Sequence, residues 1–192
     1  MIPLRLFVAV EFPPALQILL RQHLERLTGC VPAGLVRWTR PENLHLTLKF
    51  LGDTAPGRVD EIAGMLTMAA QGSGSLALEV GGLGYFPSPR QPQVMWLGVR
   101  EAEGKLAALQ RRVEEGAAQL GYPPEERAFS PHLTLGRAAK TAGSAEKRQI
   151  AEALAGQDIP ALGQVSIRHL ILFRSELRPA GSVYTKLRTV TL

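Results

Sequence analysis

Residues 41–52 have the sequence Pro41-Glu42-Asn43-Leu44-His45-Leu46-Thr47-Leu48-Lys49-Phe50-Leu51-Gly52, and the tetrapeptide His-Leu-Thr-Leu within it recurs at 132–135. The alternation of polar and apolar residues in both copies predicts a half-buried β-strand. Since side chains alternate between the two faces of a strand, the leucines of each copy point to one face and the His and Thr to the other. The chain therefore builds twice a unit that holds an imidazole beside a hydroxyl: His45 with Thr47, and His132 with Thr134. The remaining histidines, His23 and His169, lack a threonine two residues later.

The composition is that of a globular chain. With 192 residues, 45% hydrophobic and 20% charged, residues 1–192 are expected to form a single domain of two lobes. The net charge of +5 favours anionic, phosphate-bearing ligands. A single cysteine, Cys30, excludes an internal disulfide and favours the reducing cytoplasm. No segment approaches the length of a membrane span, and no feature demands a partner subunit, so we expect a monomer without membrane attachment.

Helical spacing of apolar residues predicts four helices, at 14–28, 58–70, 103–120 and 144–155. Strands are predicted at 4–10, 36–38, 44–51, 76–80, 93–100, 129–137, 165–173 and 183–190. The glycine- and proline-rich stretch from Gly81 to Pro92 is predicted to be a loop. Each motif copy precedes a helix-forming stretch. This order favours two similar α+β lobes over one continuous sheet.

The repeated unit has the side chains that phosphodiester chemistry needs. A neutral imidazole can activate a nucleophile while a protonated one donates to the leaving oxygen, and threonine hydroxyls can donate hydrogen bonds to phosphate oxygens. Neither a metal nor another cofactor is required by this scheme. The sequence has no His-x-His, paired cysteines, Gly-x-Ser-x-Gly elbow or Gly-x-Gly-x-x-Gly loop. The alternative is that both copies are ordinary strands whose His and Thr are merely half-exposed.

The flanks of both motifs resemble those of the two-histidine phosphoesterases, and within them the RNA 2′,3′-cyclic phosphodiesterase family, also called 2′-5′ RNA ligase-like. The resemblance covers nearly the whole chain and rests on these segments: 5–10, Trp38, 41–52, Phe86-Pro87, 94–99, 131–137, 173–176, Gly181 and Tyr184. It implies an α+β fold of two lobes, each with an antiparallel sheet, related by a pseudo-two-fold axis and flanked by helices. Both motifs would point into an active-site cleft between the sheets.

The resemblance also implies a reaction, in which a terminal 2′,3′-cyclic phosphate of RNA is opened to a 2′-phosphomonoester. His45 would be the proton donor and His132 the proton acceptor. From the residues alone the two roles cannot be distinguished; one imidazole must be neutral and the other protonated, so the pH–rate profile should be bell-shaped.

Four further residues are candidates for substrate binding. Arg137 matches a phosphate-binding position of the family, but strict alternation puts it on the face opposite His132, so a β-bulge or the end of the strand must turn it inward. The alternative is an arginine at a strand end that faces water. Lys49 shares parity with His45 and is expected to add positive charge to the cleft, unless it is simply solvated. Phe50 and Tyr184 are candidates for stacking on a base, with core packing as the alternative for Phe50.

Two other functions remain open at this level. The same groups could catalyse 2′-5′ ligation of RNA ends, although water at about 55 M should make hydrolysis dominant. A basic RNA-binding module without turnover would instead bind in a salt-sensitive way that survives loss of both histidines. The substrate could be an RNA 3′ end or a small cyclic nucleotide with a 2′,3′-cyclic phosphate.

Overall fold

The computed structural model describes residues 2–178 and 181–192, which form an α+β fold of two antiparallel sheets and four helices. Along the chain the elements are β1 (Leu4–Val10), α1 (Pro14–Cys30), β2 (Val36–Trp38), β3 (Leu46–Thr54), α2 (Val59–Ala70), β4 (Leu76–Phe86), β5 (Val94–Arg100), α3 (Lys105–Gln119), β6 (His132–Ala138), α4 (Ser144–Leu154), β7 (Gln164–Ile167), β8 (His169–Arg178) and β9 (Gly181–Thr191). The first sheet has the strand order β3-β1-β8-β9, and the second has the order β2-β6-β5-β4-β7.

The helices confirm the periodicity of the sequence. Helix α1 begins at Pro14, where a proline is tolerated because the first-turn N–H groups have no intrahelical partner. Its buried residues are Leu16, Leu20, Leu24 and Leu27, which lie on one face at the predicted spacing. The buried residues of α3 follow the same rule: Leu106, Leu109, Val113 and Ala117.

Each sheet packs one face into an apolar core. Helix α2 contacts β8 and β9, α3 contacts β3, and α1 lies beside α4. Alternate strand residues enter the core, among them Leu46 and Leu48 of β3 and Leu133 and Leu135 of β6. We call the opposite face of each sheet its motif face, because it carries His45 and Thr47 in the first sheet and His132 and Thr134 in the second.

The two sheets do not correspond to the two halves of the chain. Strand β2 comes from the N-terminal half but pairs with β6 in the second sheet, and the C-terminal β8 pairs with β1 in the first. The halves are therefore interwoven, and the two motif strands, β3 and β6, come within 8 Å of each other. The strands that contain the two copies of the tetrapeptide therefore approach each other, although they belong to different sheets.

The predicted loop from Gly81 onward is wrong, since β4 continues as a strand to Phe86. Two glycines explain why. Gly82 has φ = +73° and lies at a bulge in the pairing with β5, and a Cβ on Gly84 would lie 2.2 Å from the Trp96 ring. Glycine therefore serves a bulge and a close approach inside this strand rather than ending it.

Candidate active site

The first motif copy lies at the start of an edge strand. His45 immediately precedes β3 and its imidazole is half-buried, while Thr47 pairs with Ala9 of β1 on the motif face. The Nδ1 atom of His45 lies 2.6 Å from the carbonyl oxygen of Asn43. The Asn43 side chain in turn donates to the carbonyl of Ser182 in β9, at 2.8 Å. The segment before β3 is thus fixed to the far edge of its own sheet.

The second copy repeats this arrangement in the other sheet. His132 opens β6 and pairs with Gly98, and Thr134 pairs with Trp96 of β5. The Nδ1 atom of His132 lies 2.7 Å from the carbonyl oxygen of Ser130, which is again two residues upstream. The two imidazoles therefore have the same backbone anchor.

The shared anchor determines which nitrogen of each ring is available. A carbonyl oxygen can only accept, so Nδ1 carries the proton and donates it in both histidines. The remaining nitrogen, Nε2, then has a free lone pair in the neutral ring and carries a second N–H in the imidazolium. Each histidine can give or take a proton at Nε2 without changing its orientation.

A β-bulge follows each threonine and reverses the alternation of side chains beyond it. In the first sheet Ala9 pairs with Thr47 and Val8 with Lys49, so Leu48 is the extra residue. In the second sheet Trp96 pairs with Thr134 and Met95 with Gly136, so Leu135 is extra. The bulge at Leu135 is one of the two ways that the sequence allowed for turning Arg137 inward, and the exposed Arg137 lies on the motif face with His132 and Thr134.

The bulge at Leu48 in the first sheet makes the prediction for Lys49 wrong. Lys49 lies on the core side of β3, where its Nζ donates to Glu114 of α3 at 2.5 Å and to the carbonyl of Pro123 at 2.6 Å. Only 5% of the residue is exposed. Strict alternation from His45 places Lys49 on the motif face, because it does not allow for the extra residue at Leu48.

Phe50 occupies the place on the motif face that strict alternation predicts for Lys49. It lies on the motif face beside Phe7, with ring centroids 6.0 Å apart, and is 61% exposed, so core packing is not its role. Phe50 and Arg137 are the fifth residues after their respective histidines and occupy equivalent places after the two bulges.

Aromatic rings surround both histidines. The His45 ring lies 4.9 Å from Phe7 and makes an edge contact with Tyr184 at 5.2 Å. The His132 ring makes an edge contact with Phe86 at 5.2 Å and lies 6.0 Å from Trp96. These rings restrict the motion of each imidazole and lower the polarity around it.

The electrostatic environment of His45 is asymmetric. Burial of the imidazole holds its pKa below the ordinary value of 6.5, while the hydrogen bond to Asn43 and the Glu11 carboxylate act in the opposite direction. Glu11 also forms an ion pair with Lys186 at 2.5 Å. Together with Glu42, Phe173 and Tyr184, these residues line a small cavity of about 60 Å³ at His45.

Within residues 2–178 and 181–192, no three His, Cys, Asp or Glu side chains form a group that could hold a metal ion. Among the same residues, no helix has both the length and the apolar character needed to span a membrane.

Several residues at the site were not selected from the sequence. Phe7 and Trp96 lie in segments that carry the family resemblance, but neither they nor Glu11 belongs to the repeated tetrapeptide, and strand pairing brings them to the histidines. One signal was available: β1 is buried on both faces from Leu6 to Val10, as its continuous apolar run suggests, so Phe7 and Ala9 had to be covered on the motif face.

Comparisons with known proteins agree on one family. The profile of the 2′-5′ RNA ligase superfamily matches residues 13–178. A protein of Methanothermobacter thermautotrophicus named RNA 2′,3′-cyclic phosphodiesterase is 33% identical over 98% of both chains, and one of Archaeoglobus fulgidus with the same name is 32% identical over 96% of this chain and 98% of its own.

Solved structures show the same fold. A crystal structure of a Thermus thermophilus protein matches with a TM-score of 0.77 and 29% identity, over 98% of this chain and 97% of that one. LigT of Escherichia coli complexed with 3′-AMP also gives a TM-score of 0.77, over 99% and 98% of the two chains. Its identity is 24%, so that likeness concerns the fold alone.

Proposed function

Because the chain belongs to the 2′-5′ RNA ligase superfamily, we propose that it hydrolyses the 2′,3′-cyclic phosphate at RNA 3′ ends to a 2′-phosphomonoester. The observation that carries the proposal is the repeated anchor. Two imidazoles, at the starts of two strands that approach each other, both donate Nδ1–H to the carbonyl two residues upstream, and each leaves Nε2 free for proton transfer.

The proposed reaction uses one imidazole on each side of the phosphorus atom. His132 takes a proton from a water molecule, whose oxygen forms a bond to phosphorus. The bond between phosphorus and O3′ breaks, and His45 gives its proton to O3′. The products are a free 3′-hydroxyl and a phosphomonoester on O2′, and one water molecule is consumed.

The remaining groups on the motif faces would stabilise the phosphoryl transition state. Thr47 and Thr134 lie on the same faces as their histidines and would donate hydrogen bonds to the non-bridging oxygens. The exposed guanidinium of Arg137 would add positive charge and a bidentate donor. Tyr184 and the exposed Phe50 offer aromatic surfaces on which the terminal base would stack.

Product analysis tests the proposed activity. An oligonucleotide with a 2′,3′-cyclic phosphate is incubated with the protein and a chelator, and the products are separated and identified by mass spectrometry. We expect a mass increase of one water molecule and a 2′-phosphate. A protein that binds the oligonucleotide without changing it, or that joins it to a 5′-hydroxyl acceptor in preference to hydrolysis, would contradict the proposal.

The surroundings of His45 predict a pH dependence. As the proton donor, His45 must be protonated, and its pKa lies below the ordinary 6.5 mainly because of burial. The limb of the kcat/KM profile that His45 controls is therefore expected on the acidic side of 6.5, on whichever side of the bell it lies. Removing the Glu11 charge by Glu11→Gln withdraws a contribution that raises this pKa and should move the limb to still lower pH.

The matched control is Glu42→Gln, which removes a carboxylate that lines the same cavity but does not contribute to the His45 shift. The measurement is kcat/KM against pH for the wild type and both variants. If this limb moves to higher pH in Glu11→Gln, or moves equally in both variants, the protonation of His45 does not determine the limb.

A further inference from the structure

Two arginines stand directly opposite each other on the motif face of the second sheet. Arg37, the middle residue of β2, pairs with Arg137 of β6, and both are exposed. Directly opposite residues of an antiparallel pair have Cβ atoms about 5 Å apart. Val36 and Trp38, on either side of Arg37, pack into the core, so the Arg37 side chain points away from it.

Nothing among the described residues neutralises this pair. Neither guanidinium makes a hydrogen bond or an ion pair within residues 2–178 and 181–192. The neighbour of Arg137 on its other side is Val94, and β2 is an edge strand, so no further strand supplies an acidic partner. Like charges directly opposite in a sheet repel each other and are destabilising, so this arrangement calls for an anionic ligand.

The position of the pair relative to His132 indicates which anion. Along β6 the motif face carries His132, then Thr134, then Arg137, and Arg37 lies one strand further out, at the sheet edge. If Thr134 and Arg137 hold the reacting cyclic phosphate, Arg37 is the next cation away from the reaction centre. In RNA the next anion from a terminal cyclic phosphate is the phosphodiester that joins the last two nucleotides.

We propose that Arg37 forms a subsite for this internal phosphodiester, so that the protein prefers RNA ends to cyclic mononucleotides. The inference rests on the proposed function, because the register of the RNA is set by the cyclic phosphate at the histidines. Arg37 is a specificity-determining residue here: it binds a part of the substrate that does not react. Its guanidinium can hold a phosphodiester through two parallel N–H···O bonds.

The test compares three substrates on the wild type and on Arg37→Gln. They are a 2′,3′-cyclic mononucleotide, a dinucleotide with the same cyclic end, and that dinucleotide with a 2′-deoxy first sugar and an uncharged methylphosphonate linkage. In Arg37→Gln, the ratio of kcat/KM for the charged dinucleotide to kcat/KM for the mononucleotide should fall by about tenfold. On the wild type, kcat/KM for the uncharged dinucleotide should exceed that for the mononucleotide only slightly. Arg37→Gln should change kcat/KM for the uncharged dinucleotide very little.

Two further readouts separate binding from a structural role. For the charged dinucleotide, the slope of log KM against log salt should decrease by about 0.7 in Arg37→Gln, as expected for one lost phosphate contact to a single strand. The melting temperature of Arg37→Gln should not fall, since the substitution removes a like-charge contact. Arg21→Gln removes an exposed charge from α1. It should retain the wild-type preference for the charged dinucleotide over the mononucleotide and the wild-type slope of log KM against log salt.

An equal loss of kcat/KM on all three substrates would overturn the subsite, because Arg37 would then act on the cyclic phosphate itself. Unchanged kinetics in Arg37→Gln would overturn it as well. A wild-type protein that opens none of the three cyclic phosphates would contradict the proposed function instead, so the two failures are distinguishable.

Discussion

Replacing His132 by alanine is expected to lower kcat for cyclic-phosphate opening by about 10²–10⁴-fold, and His45→Ala by a similar factor. Without the Nε2 of His132, water has no base to accept its proton; without the Nε2 of His45, O3′ leaves as an unprotonated alkoxide. The double variant should be little slower than either single variant, because two groups that act in one step lose their effect together. The assay is single-turnover hydrolysis in the presence of chelator.

The chain supplies its own control for these substitutions. His169 is exposed at the start of β8 and no threonine follows it two residues later, so His169→Ala should retain wild-type kcat. Folding is checked by thermal unfolding of each variant. A folded His45→Ala or His132→Ala protein that keeps more than a tenth of the wild-type kcat would exclude that histidine from catalysis.

Replacing Lys49 by methionine is expected to lower the free energy of unfolding by about 3–5 kcal/mol. The Lys49 ammonium is almost fully buried and donates to both Glu114 and the Pro123 carbonyl. Glu114 accepts a second bond at the same oxygen, from the backbone N–H of Glu125, while its other oxygen is buried without a partner among the described residues. Removing the lysine leaves the Glu114 carboxylate beneath β3 without a neighbouring positive charge.

For a chain of this length such a loss corresponds to a fall in melting temperature of roughly 6–20 °C. The double variant Lys49→Met, Glu114→Leu should recover much of it, because no buried charge remains. Lys105→Met, which breaks the exposed pair with Glu103, should leave the melting temperature nearly unchanged. A double variant less stable than Lys49→Met alone would show that the ion pair is not the source of the loss.

The local structure around the motifs follows from sequence periodicity as far as each threonine. His45 and Thr47 share a face, as do His132 and Thr134, and the helices begin and end within two residues of their predicted limits. The sequence does not predict where alternation breaks. A bulge is one extra residue relative to a partner strand, and the partners of Leu48 and Leu135 are β1 and β5, which are distant in sequence. Lys49 was misplaced for this reason, whereas for Arg137 the sequence already indicated either a bulge or the end of the strand.

The remaining differences also arise from pairings that a single strand does not reveal. β4 tolerates its glycines because Trp96 of the neighbouring strand covers Gly84. Arg37 becomes a neighbour of Arg137 only because β2 joins the sheet of the C-terminal motif. In each case the deciding contact joins two strands, and the periodicity of either strand alone carries no information about it.

The most direct test of paired-histidine catalysis is a crystal structure of the protein with a nucleoside vanadate, which mimics the five-coordinate phosphorus of the transition state. We predict that Nε2 of His45 and Nε2 of His132 lie within about 3.2 Å of two different oxygens on the same vanadium atom, with both Nδ1 anchors retained. A vanadate bound to one imidazole only, with the other ring facing a separate surface, would contradict catalysis by the paired histidines.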